Sequence, residues 1–218
     1  GDNILSPNQF GFRQGKSTID AITHLIELIV DSLDKKTVTL SVFLDMTKAF
    51  DCVYHTILLN KLHSNGIRGL PLKWLQSYLS DRKQQVSVQN SFSRTTSLRY
   101  GVPQGSILGP VLFLVYVNNL NSKIHKGHIV QYADDTTLSF TCKSKFQVEI
   151  QAYEELNVCT QYFENINLKL NCSKTNYMVF GGSTAPFQYR PTVMLDDKVL
   201  DEVDCTKLLG IYLDRGLT

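Results

Sequence analysis

The sequence has little of what marks secreted, zinc-binding or membrane-spanning proteins. Its five cysteines are far apart, none forms a C-x-x-C pair, and no histidine lies close enough to them to suggest a zinc site. An odd number of cysteines and no recognisable signal peptide favour reduced thiols in an intracellular protein. The most apolar run, residues 107–117, is too short to cross a bilayer and is interrupted by Gly109 and Pro110. We therefore expect neither a disulfide framework nor a structural zinc ion, and no membrane among the partners.

Apolar side chains are plentiful, which excludes a globally disordered chain. Hydrophobic residues make up 43% of the 218 residues, enough for a buried core in one or two domains. The net charge of +2 does not by itself indicate a nucleic-acid-binding protein. Residues 1–100 carry 12 Lys and Arg against 8 Asp and Glu, whereas residues 101–218 carry 10 against 12. This division fits a phosphate-binding surface beside cation-binding carboxylates, although ordinary surface scatter explains it equally well.

The spacing of apolar residues predicts a mixture of helices and antiparallel hairpins. A helix is expected to begin after Ser17, a favourable N-cap, with Asp20 in its first turn. Residues 37–45 alternate as a strand, and Asp45 ends it on the side away from its aliphatic face. Further helices are predicted at 56–65, from 71, up to 120 and over 144–166, hairpins around 90–94, 134–135 and 196–197, and strands at 174–180 and 207–214. This mixture predicts an α+β fold rather than a parallel doubly wound one.

Two adjacent aspartates stand in the segment QYADDTTL, between short runs with strand character. Asp134 and Asp135 would lie at a hairpin tip, and aspartates are common in such turns, as a second pair at 196–197 illustrates. Mg²⁺ prefers oxygen ligands and usually takes one or two protein carboxylates together with phosphate and water. Asp45 would complete such a site if its strand were a neighbour of the hairpin. The residues alone leave both interpretations open, an ordinary turn or a metal site for phosphoryl chemistry.

Order and flanking sequence separate these interpretations. Five segments follow the order of the palm motifs of reverse transcriptases: FLDMTKAFD (43–51), GVPQGSILGPVLFLVYVNNL (101–120), YADD (132–135), LKLNCSKTNYMVF (168–180) and KLLGIYLD (207–214). NQFGFRQGKST (8–18) resembles the stretch just before the first motif in non-LTR retrotransposons of the jockey type. Over nearly its whole length the chain thus resembles the reverse transcriptase (RNA-directed DNA polymerase) domain of such an element. The resemblance implies a right-hand polymerase palm, an antiparallel sheet with helices on one face, with partial fingers.

The resemblance also implies catalytic and metal-binding roles. Asp45 and Asp134 would bridge two Mg²⁺ ions, with Mn²⁺ as the alternative metal, and Asp135 would be the third acidic residue. The backbone carbonyl of Met46 would be a further metal ligand. Lys174 matches the lysine proposed as general acid for the leaving pyrophosphate, although a surface lysine is the plainer interpretation.

Other matches concern the incoming nucleotide. Phe50 occupies the position of an aromatic steric gate that would exclude a ribose 2′-hydroxyl, whereas without the resemblance it would be read as a core residue. Gln104 and Gly105 belong to a loop that contacts nucleotide and template, where glycine permits close backbone approach. Asp51 is expected to cap a helix rather than to bind metal.

Contacts to nucleic acid are implied at three places. Arg13 and Lys16 would meet backbone phosphates of the template, with solvated loop charges as the alternative. Tyr132 would pack near the primer end. Leu209 and Gly210 fall where the family grips the primer.

The same resemblance divides the chain into parts of a polymerase. Residues 1–36 and about 66–100 are expected to be fingers-like, 37–65 and 101–185 palm, and 186–218 the end of the palm and the primer-grip region. The earlier fingers motifs and the thumb find no match and the first residue is glycine, so we expect a fragment that extends primers poorly alone. Whether the full-length protein includes an endonuclease stays open.

The expected function is RNA-templated DNA synthesis, by nucleotidyl transfer from a dNTP to a primer 3′-hydroxyl. The expected partners are an RNA template, a DNA primer and dNTPs, in the nucleus and in cytoplasmic ribonucleoprotein. The alternative is a catalytically inactive remnant that acts as a nucleic-acid-binding or interaction domain. RNA-dependent RNA polymerases and nucleotide cyclases share the palm geometry, but Phe50 and the YADD context disfavour both.

Overall fold

The computed structural model describes residues 4–182 and 189–217. Within these residues it has five α-helices: α1 (Thr18–Asp34), α2 (His55–Ser64), α3 (Gly69–Leu79), α4 (Leu108–Val117) and α5 (Lys145–Asn165). Two short 3₁₀ helices cover Ala49–Cys52 and Asn118–Leu120. The described part of the chain contains no helix with the length and apolar character needed to cross a membrane. The five cysteines are free thiols. Residues 183–188, where the predicted palm gives way to the predicted primer-grip region, lie outside the described residues.

Among the described residues, five strands form the central sheet and eight others form hairpins. The sheet strands are β1 (Val38–Leu44), β6 (His128–Tyr132), β7 (Asp135–Cys142), β8 (Asn176–Phe180) and β11 (Asp201–Glu202). The hairpin strands are β2 (Lys83–Gln84), β3 (Ser87–Val88), β4 (Ser91–Phe92), β5 (Thr96–Ser97), β9 (Met194–Leu195), β10 (Lys198–Val199), β12 (Cys205–Leu208) and β13 (Ile211–Asp214).

The central sheet has the strand order β11-β8-β1-β7-β6, and only the β11–β8 pair is parallel. Strand β1 lies in the middle and pairs with β7 from Val38↔Cys142 to Leu44↔Thr136. Its seven residues are all buried, as expected for a strand covered on both faces. The predicted α+β class is therefore observed.

Helices cover both faces of this sheet, whereas helices on one face were expected. The aliphatic face of β1 packs with α4 and α5 in the larger core, which includes Leu40, Phe140 and Phe163. The opposite face packs α1 through Leu25 and Phe43 in a second core. The expectation of one covered face was therefore wrong.

Small hydroxyl side chains explain how α1 fits on the second face. Thr39 pairs with Thr141 and Ser41 with Ser139 across the β1–β7 ladder, each pair with its oxygens 2.8 Å apart. Because these groups satisfy one another, burying them beneath a helix leaves no hydroxyl without a partner. A face that looks polar in sequence is in this way part of the interior.

The start of α1 follows the prediction. The Ser17 hydroxyl accepts a hydrogen bond from the Asp20 backbone, and the Asp20 carboxylate accepts one from the Ser17 backbone. This reciprocal capping box satisfies two backbone N–H groups that the helix itself leaves free. Helix α1 therefore starts where the sequence placed it.

The segment 207–214 is a hairpin, whereas one final strand was expected. Strands β12 and β13 pair from Cys205↔Asp214 to Leu208↔Ile211. Leu209 and Gly210 form the turn with φ values of 48° and 93°. Positive φ at both central residues matches the twist of a two-residue hairpin, so the chain reverses here.

Candidate active site

Antiparallel pairing brings the first and third motif aspartates to the same sheet edge. The β1–β7 ladder ends at Leu44↔Thr136, so Asp45 leaves β1 beside the point where Asp135 begins β7. Residues at opposing positions of antiparallel strands have Cα atoms about 4.5–5.5 Å apart. Two aspartates that are distant in sequence are therefore neighbours.

A two-residue turn presents the remaining aspartate. Tyr132 pairs with Asp135, which leaves Ala133 and Asp134 as the tip of the β6–β7 hairpin. Ala133 has φ of +57° and is 3% exposed. The predicted hairpin is therefore present, but its tip lies one residue earlier than the expected Asp134–Asp135, because Asp135 already pairs with Tyr132.

The loop before β8 holds the backbone that carries Asp45. The Asp45 N–H donates to Thr175 Oγ1 at 3.1 Å, and the Asp45 carbonyl accepts from the Asn171 N–H at 2.8 Å. Met46 forms an isolated bridge with Leu170. The bridge hydrogen bonds use the Asp45 carbonyl and leave the Met46 carbonyl out. The segment 168–180 thus holds the backbone of the segment 43–51 in place. The Met46 carbonyl oxygen is not used by this bridge and can serve as a metal ligand.

The pKa values of Asp134 and Asp135 reflect the proximity of the carboxyl groups. Partial loss of hydration raises the pKa of Asp134, and the charge of Asp45 raises it further. Loss of hydration, followed by the charges of Asp134 and Asp45, raises the pKa of Asp135 to about 6. Asp135 is exposed as a residue. Three repelling carboxyls favour a bound cation.

These oxygen ligands fit a hard cation whose remaining coordination positions are filled by a substrate and by water. Within residues 4–182 and 189–217, no three His, Cys, Asp or Glu side chains are arranged to hold an ion by themselves. Mg²⁺ does not need such a cage, because substrate phosphates and water complete its octahedral shell. Asp45, Asp134 and Asp135 with the Met46 carbonyl offer the oxygen ligands that this mode of binding uses.

A cavity of about 100 Å³ opens beside these carboxylates. Asp45, Asp135 and Lys174 line it, so the predicted lysine does lie at the aspartates. Lys207 of β12 lines the same cavity and was missed by the sequence reasoning. Its only sequence signal is that it immediately precedes the Leu208–Gly210 stretch of the fifth motif. Two lysines therefore line the cavity that Asp45 and Asp135 share.

A larger cavity of about 580 Å³ borders the GVPQGS loop. Its lining includes Gln104 and Asp51, whose side chains are joined by a hydrogen bond of 2.8 Å from Gln104 Nε2 to Asp51 Oδ1. Lys48, Arg82 and Lys83 also line it, and the sequence reasoning singled out none of these three cations, although Lys48 lies within the first motif. Asp51 does not cap a helix as expected, because the residue before α2 is Tyr54.

Phe50 lies between the core and the GVPQGS loop. Its ring stacks on Phe113 with centroids 4.3 Å apart, and its carbonyl accepts from the Val102 N–H at 2.9 Å. The residue is only partly buried. The structure therefore shows a contact with the core, and the gate stays a prediction.

The predicted phosphate-binding residues of the N-terminal segment have partners within the chain. Arg13 donates from Nη1 to the carbonyls of Ser6 and Gln9 at 2.7 and 3.0 Å. Lys16 places its ammonium 4.9 Å from the ring centroid of Phe10. Arg13 thus supports its own loop, and its contact with a template stays a prediction.

The predicted primer contacts lie on two turns. Tyr132 is half-buried beside the aspartates, with its ring centroid 6.4 Å from that of Phe12. Leu209 packs partly against the second core, while Gly210 has open space around its α-carbon. Their roles at a primer stay predictions.

Comparison with known proteins agrees with this geometry. The family described as "Reverse transcriptase (RNA-dependent DNA polymerase)" matches residues 2–213. The chain is 35% identical over 99% of its length to a probable RNA-directed DNA polymerase from transposon BS of Drosophila melanogaster. It is 31% identical over 96% of its length to the RNA-directed DNA polymerase from the mobile element jockey of the same species. The chain spans about a quarter of these relatives, 24% and 23% of their lengths.

Solved structures agree on the fold. An apo telomerase from Candida tropicalis, truncated from its C-terminal domain, superimposes with a TM-score of 0.61 at 12% identity. The match covers 89% of this chain and 38% of that one. The right-hand polymerase fold is thereby confirmed, and the match to the family over nearly the whole sequence identifies the chain as a member of the reverse transcriptase family.

Proposed function

We propose that this chain is the catalytic core of an RNA-templated DNA polymerase of a non-LTR retrotransposon. One observation carries the proposal: two pairing strands and one turn bring Asp45, Asp134 and Asp135 together at one sheet edge. The names of the Drosophila relatives, which are RNA-directed DNA polymerases, support it. The reaction would join a dNTP to a primer 3′-hydroxyl and release pyrophosphate.

Asp45 and Asp134, with the carbonyl of Met46, would hold two Mg²⁺ ions, or Mn²⁺ in their place, while Asp135 would ligate less directly. Bound there, the ions would lower the barrier by activating the attacking oxygen and neutralising charge on the leaving group. The hydrogen bonds to Thr175 and Asn171 would hold the Asp45 backbone in place when its carboxylate binds a metal ion.

Other residues would act on the substrate directly. Lys174 lies on the same cavity as Asp45 and Asp135, and its ammonium would give a proton to the departing pyrophosphate. Phe50 would exclude a ribose 2′-hydroxyl, because its ring is held by Phe113 and cannot easily turn aside.

The larger cavity would bind phosphate. Lys48, Arg82 and Lys83 place three cations against the single carboxylate of Asp51 in its lining, which favours an anionic ligand. Gln104 lines the same cavity, and with Gly105 it would contact the nucleotide and the template base. These cations of the chain would therefore be available to bind the triphosphate.

The nucleic-acid path would follow the turns around the aspartates. Tyr132 and the Leu209–Gly210 turn would contact the primer strand. Lys16 would meet template phosphates, and Arg13 would reach them only with donors that its loop does not use.

Primer extension tests the proposal. The full-length protein should extend a DNA primer on an RNA template with dNTPs and Mg²⁺, and EDTA should abolish extension. Asp134→Asn should lower the rate by at least about 100-fold, since a metal ligand is lost. Asp197→Asn, in the other aspartate-pair turn, is the matched control and should extend normally. Binding of primer–template without extension by the wild type would instead support the inactive-remnant alternative.

A further inference from the structure

The N-terminal segment lies directly against the strand that leads into the Asp134 turn. Gln131 donates its N–H to the Asn8 carbonyl at 2.9 Å and accepts from the Phe10 N–H at 2.8 Å. Gln9 forms a parallel bridge with Gln131 and is only 2% exposed. A side chain buried at this point faces the catalytic hairpin rather than solvent.

The Gln9 side chain binds the turn itself. Its Oε1 accepts two hydrogen bonds of 2.9 Å, from the N–H of Gly11 and from the N–H of Ala133. Ala133 is the residue immediately before Asp134, so one side-chain oxygen connects the two segments at the site.

Ala133 needs such support because of its backbone conformation. Its φ of +57° is left-handed, while Asp134 is absent from the residues with positive φ. A two-residue hairpin with positive φ only at its first position has the sign pattern of a type II′ turn, where glycine is the usual residue. Alanine is strained there, and such strain persists only when surrounding contacts fix the residue.

The approach of the two segments is too close for a larger residue than glycine at position 11. A Cβ on Gly11 would lie 2.5 Å from the Ala133 nitrogen and 3.1 Å from the Tyr132 carbonyl carbon. From the other side, Arg13 donates to the Gln9 carbonyl at 3.0 Å. Gln9 is therefore held in place while it holds the turn.

We propose that Gln9 is a positioning residue of the polymerase: its carboxamide oxygen fixes the left-handed backbone of Ala133 and thereby sets where the Asp134 carboxylate stands relative to Asp45. The catalytic part of this inference rests on the proposed function. The turn-holding part does not, because it concerns only hydrogen bonds within the chain. Loss of the acceptor should let the tip relax and disperse the carboxylates.

The test compares two glutamine-to-methionine substitutions, each made in the full-length protein. Gln9→Met removes the oxygen and keeps the length of the side chain. Gln131→Met is the matched control, because Gln131 is equally buried and lies in β6, the strand that leads into the turn. In the described residues its Oε1 has no hydrogen-bond partner, and its Nε2 makes only a long hydrogen bond of 3.4 Å to Thr136 Oγ1. Hydrogen exchange at the Ala133 amide and steady-state primer extension are measured for both.

Gln9→Met should speed exchange of the Ala133 amide at least about tenfold. It should also lower kcat at least about tenfold and raise the Mg²⁺ concentration for half-maximal rate about fivefold, with primer–template affinity within twofold of wild type. Gln131→Met should change none of these more than twofold. Adding Ala133→Gly to Gln9→Met should recover kcat at least about threefold, because glycine takes the left-handed conformation without strain.

Two results would overturn the inference. One is normal kcat and Mg²⁺ dependence in Gln9→Met, and the other is an equal loss in Gln131→Met without recovery by Ala133→Gly, which indicates general destabilisation. If the wild type extends no primer, the proposed function fails instead. Hydrogen exchange then still decides whether Gln9 holds the turn, and an unchanged Ala133 amide would refute it.

Discussion

Replacing Asp135 by Asn should stabilise the metal-free protein at neutral pH while impairing synthesis. The folded state raises the pKa of Asp135 to about 6 through lost hydration and the charges of Asp134 and Asp45, whereas an unfolded aspartate has a pKa near 3.9. A raised pKa means that the protonated form is favoured by folding. The stability from this group is therefore complete below about pH 4 and is lost as the pH rises through 6. At pH 7.5 the folded protein carries an ionised carboxyl that its surroundings disfavour.

The size of the effect follows from the shift. Two pKa units correspond to roughly 3 kcal/mol without solvent screening. Because Asp135 keeps much of its surface exposed, screening reduces the expected gain to about 1 kcal/mol. For a chain of this size such a gain raises Tm by about 2–4 °C.

Thermal unfolding in EDTA provides the measurement. Asp135→Asn should unfold above the wild type at pH 7.5, and the difference should vanish near pH 4. Asp197→Asn, in the turn away from the acidic group, should show no such gain. Added Mg²⁺ should stabilise the wild type more than Asp135→Asn, because the carboxylate then has a cation to bind. An Asp135→Asn protein that is no more stable than wild type in EDTA at pH 7.5 would refute the electrostatic reasoning.

Two further predictions concern the residues behind the site. Burial lowers the pKa of Lys61 to about 8, so the unfolded state binds more protons than the folded state between pH 8 and 10, and the free energy of unfolding should rise with pH there. In urea titrations across this pH range, Lys61→Met should remove about 1–3 kcal/mol of that rise. An equal pH dependence of the unfolding free energy in both proteins would contradict the lowered pKa of Lys61. Phe50→Val should lower the preference for dNTP over the ribonucleotide at least about tenfold in single-nucleotide extension. The ratio of dNTP to ribonucleotide incorporation is measured for each protein by itself, because loss of the Phe113 stack also affects stability. An unchanged ratio in Phe50→Val would refute the steric-gate role of Phe50.

Local signals in the sequence were sufficient for most elements. The Ser17 cap, the strand ending at Asp45 and the hairpin around Asp134 each depend on neighbouring residues, and all three are present. The final hairpin was missed because Leu209 is an unusual residue for a left-handed turn, and only Gly210 hinted at it. Local chemistry thus predicts elements well where each residue prefers the conformation it takes.

Burial on the second sheet face could not be predicted in the same way. Thr39 and Ser41 look like solvent-facing residues because a single strand does not show that hydroxyls on the neighbouring strand will satisfy them. Their partners come from β7, far along the chain, and the covering helix comes before β1. The sheet was predicted to have one covered face because the long-range pairing of β1 was unknown, and not because a local conformational preference was misjudged.

The cations of the larger cavity were missed for a related reason. Arg82 and Lys83 stand in a segment of short hairpin strands that no motif covers, and Lys48 lies inside a motif known for its aspartate. Their charges are informative only once the GVPQGS loop lies beside them. The proposed positioning role of Gln9 was missed for the same reason, because its hydrogen-bond partner Ala133 lies more than a hundred residues later in the chain.

Backbone hydrogen bonds join the chain that follows Asp45 to the GVPQGS loop, for which nucleotide contact is proposed. The Gly101 N–H donates to the Val53 carbonyl at 2.9 Å, and the Val102 N–H donates to the Phe50 carbonyl at the same distance. Gly101 has φ of +86°, and a Cβ there would lie 2.9 Å from the Asp51 carbonyl oxygen. The loop therefore cannot move away from the chain that follows Asp45 without breaking backbone hydrogen bonds. The proposed reaction requires a fixed separation between the loop that would contact the nucleotide and the carboxylates that would bind metal, and these backbone hydrogen bonds would maintain it.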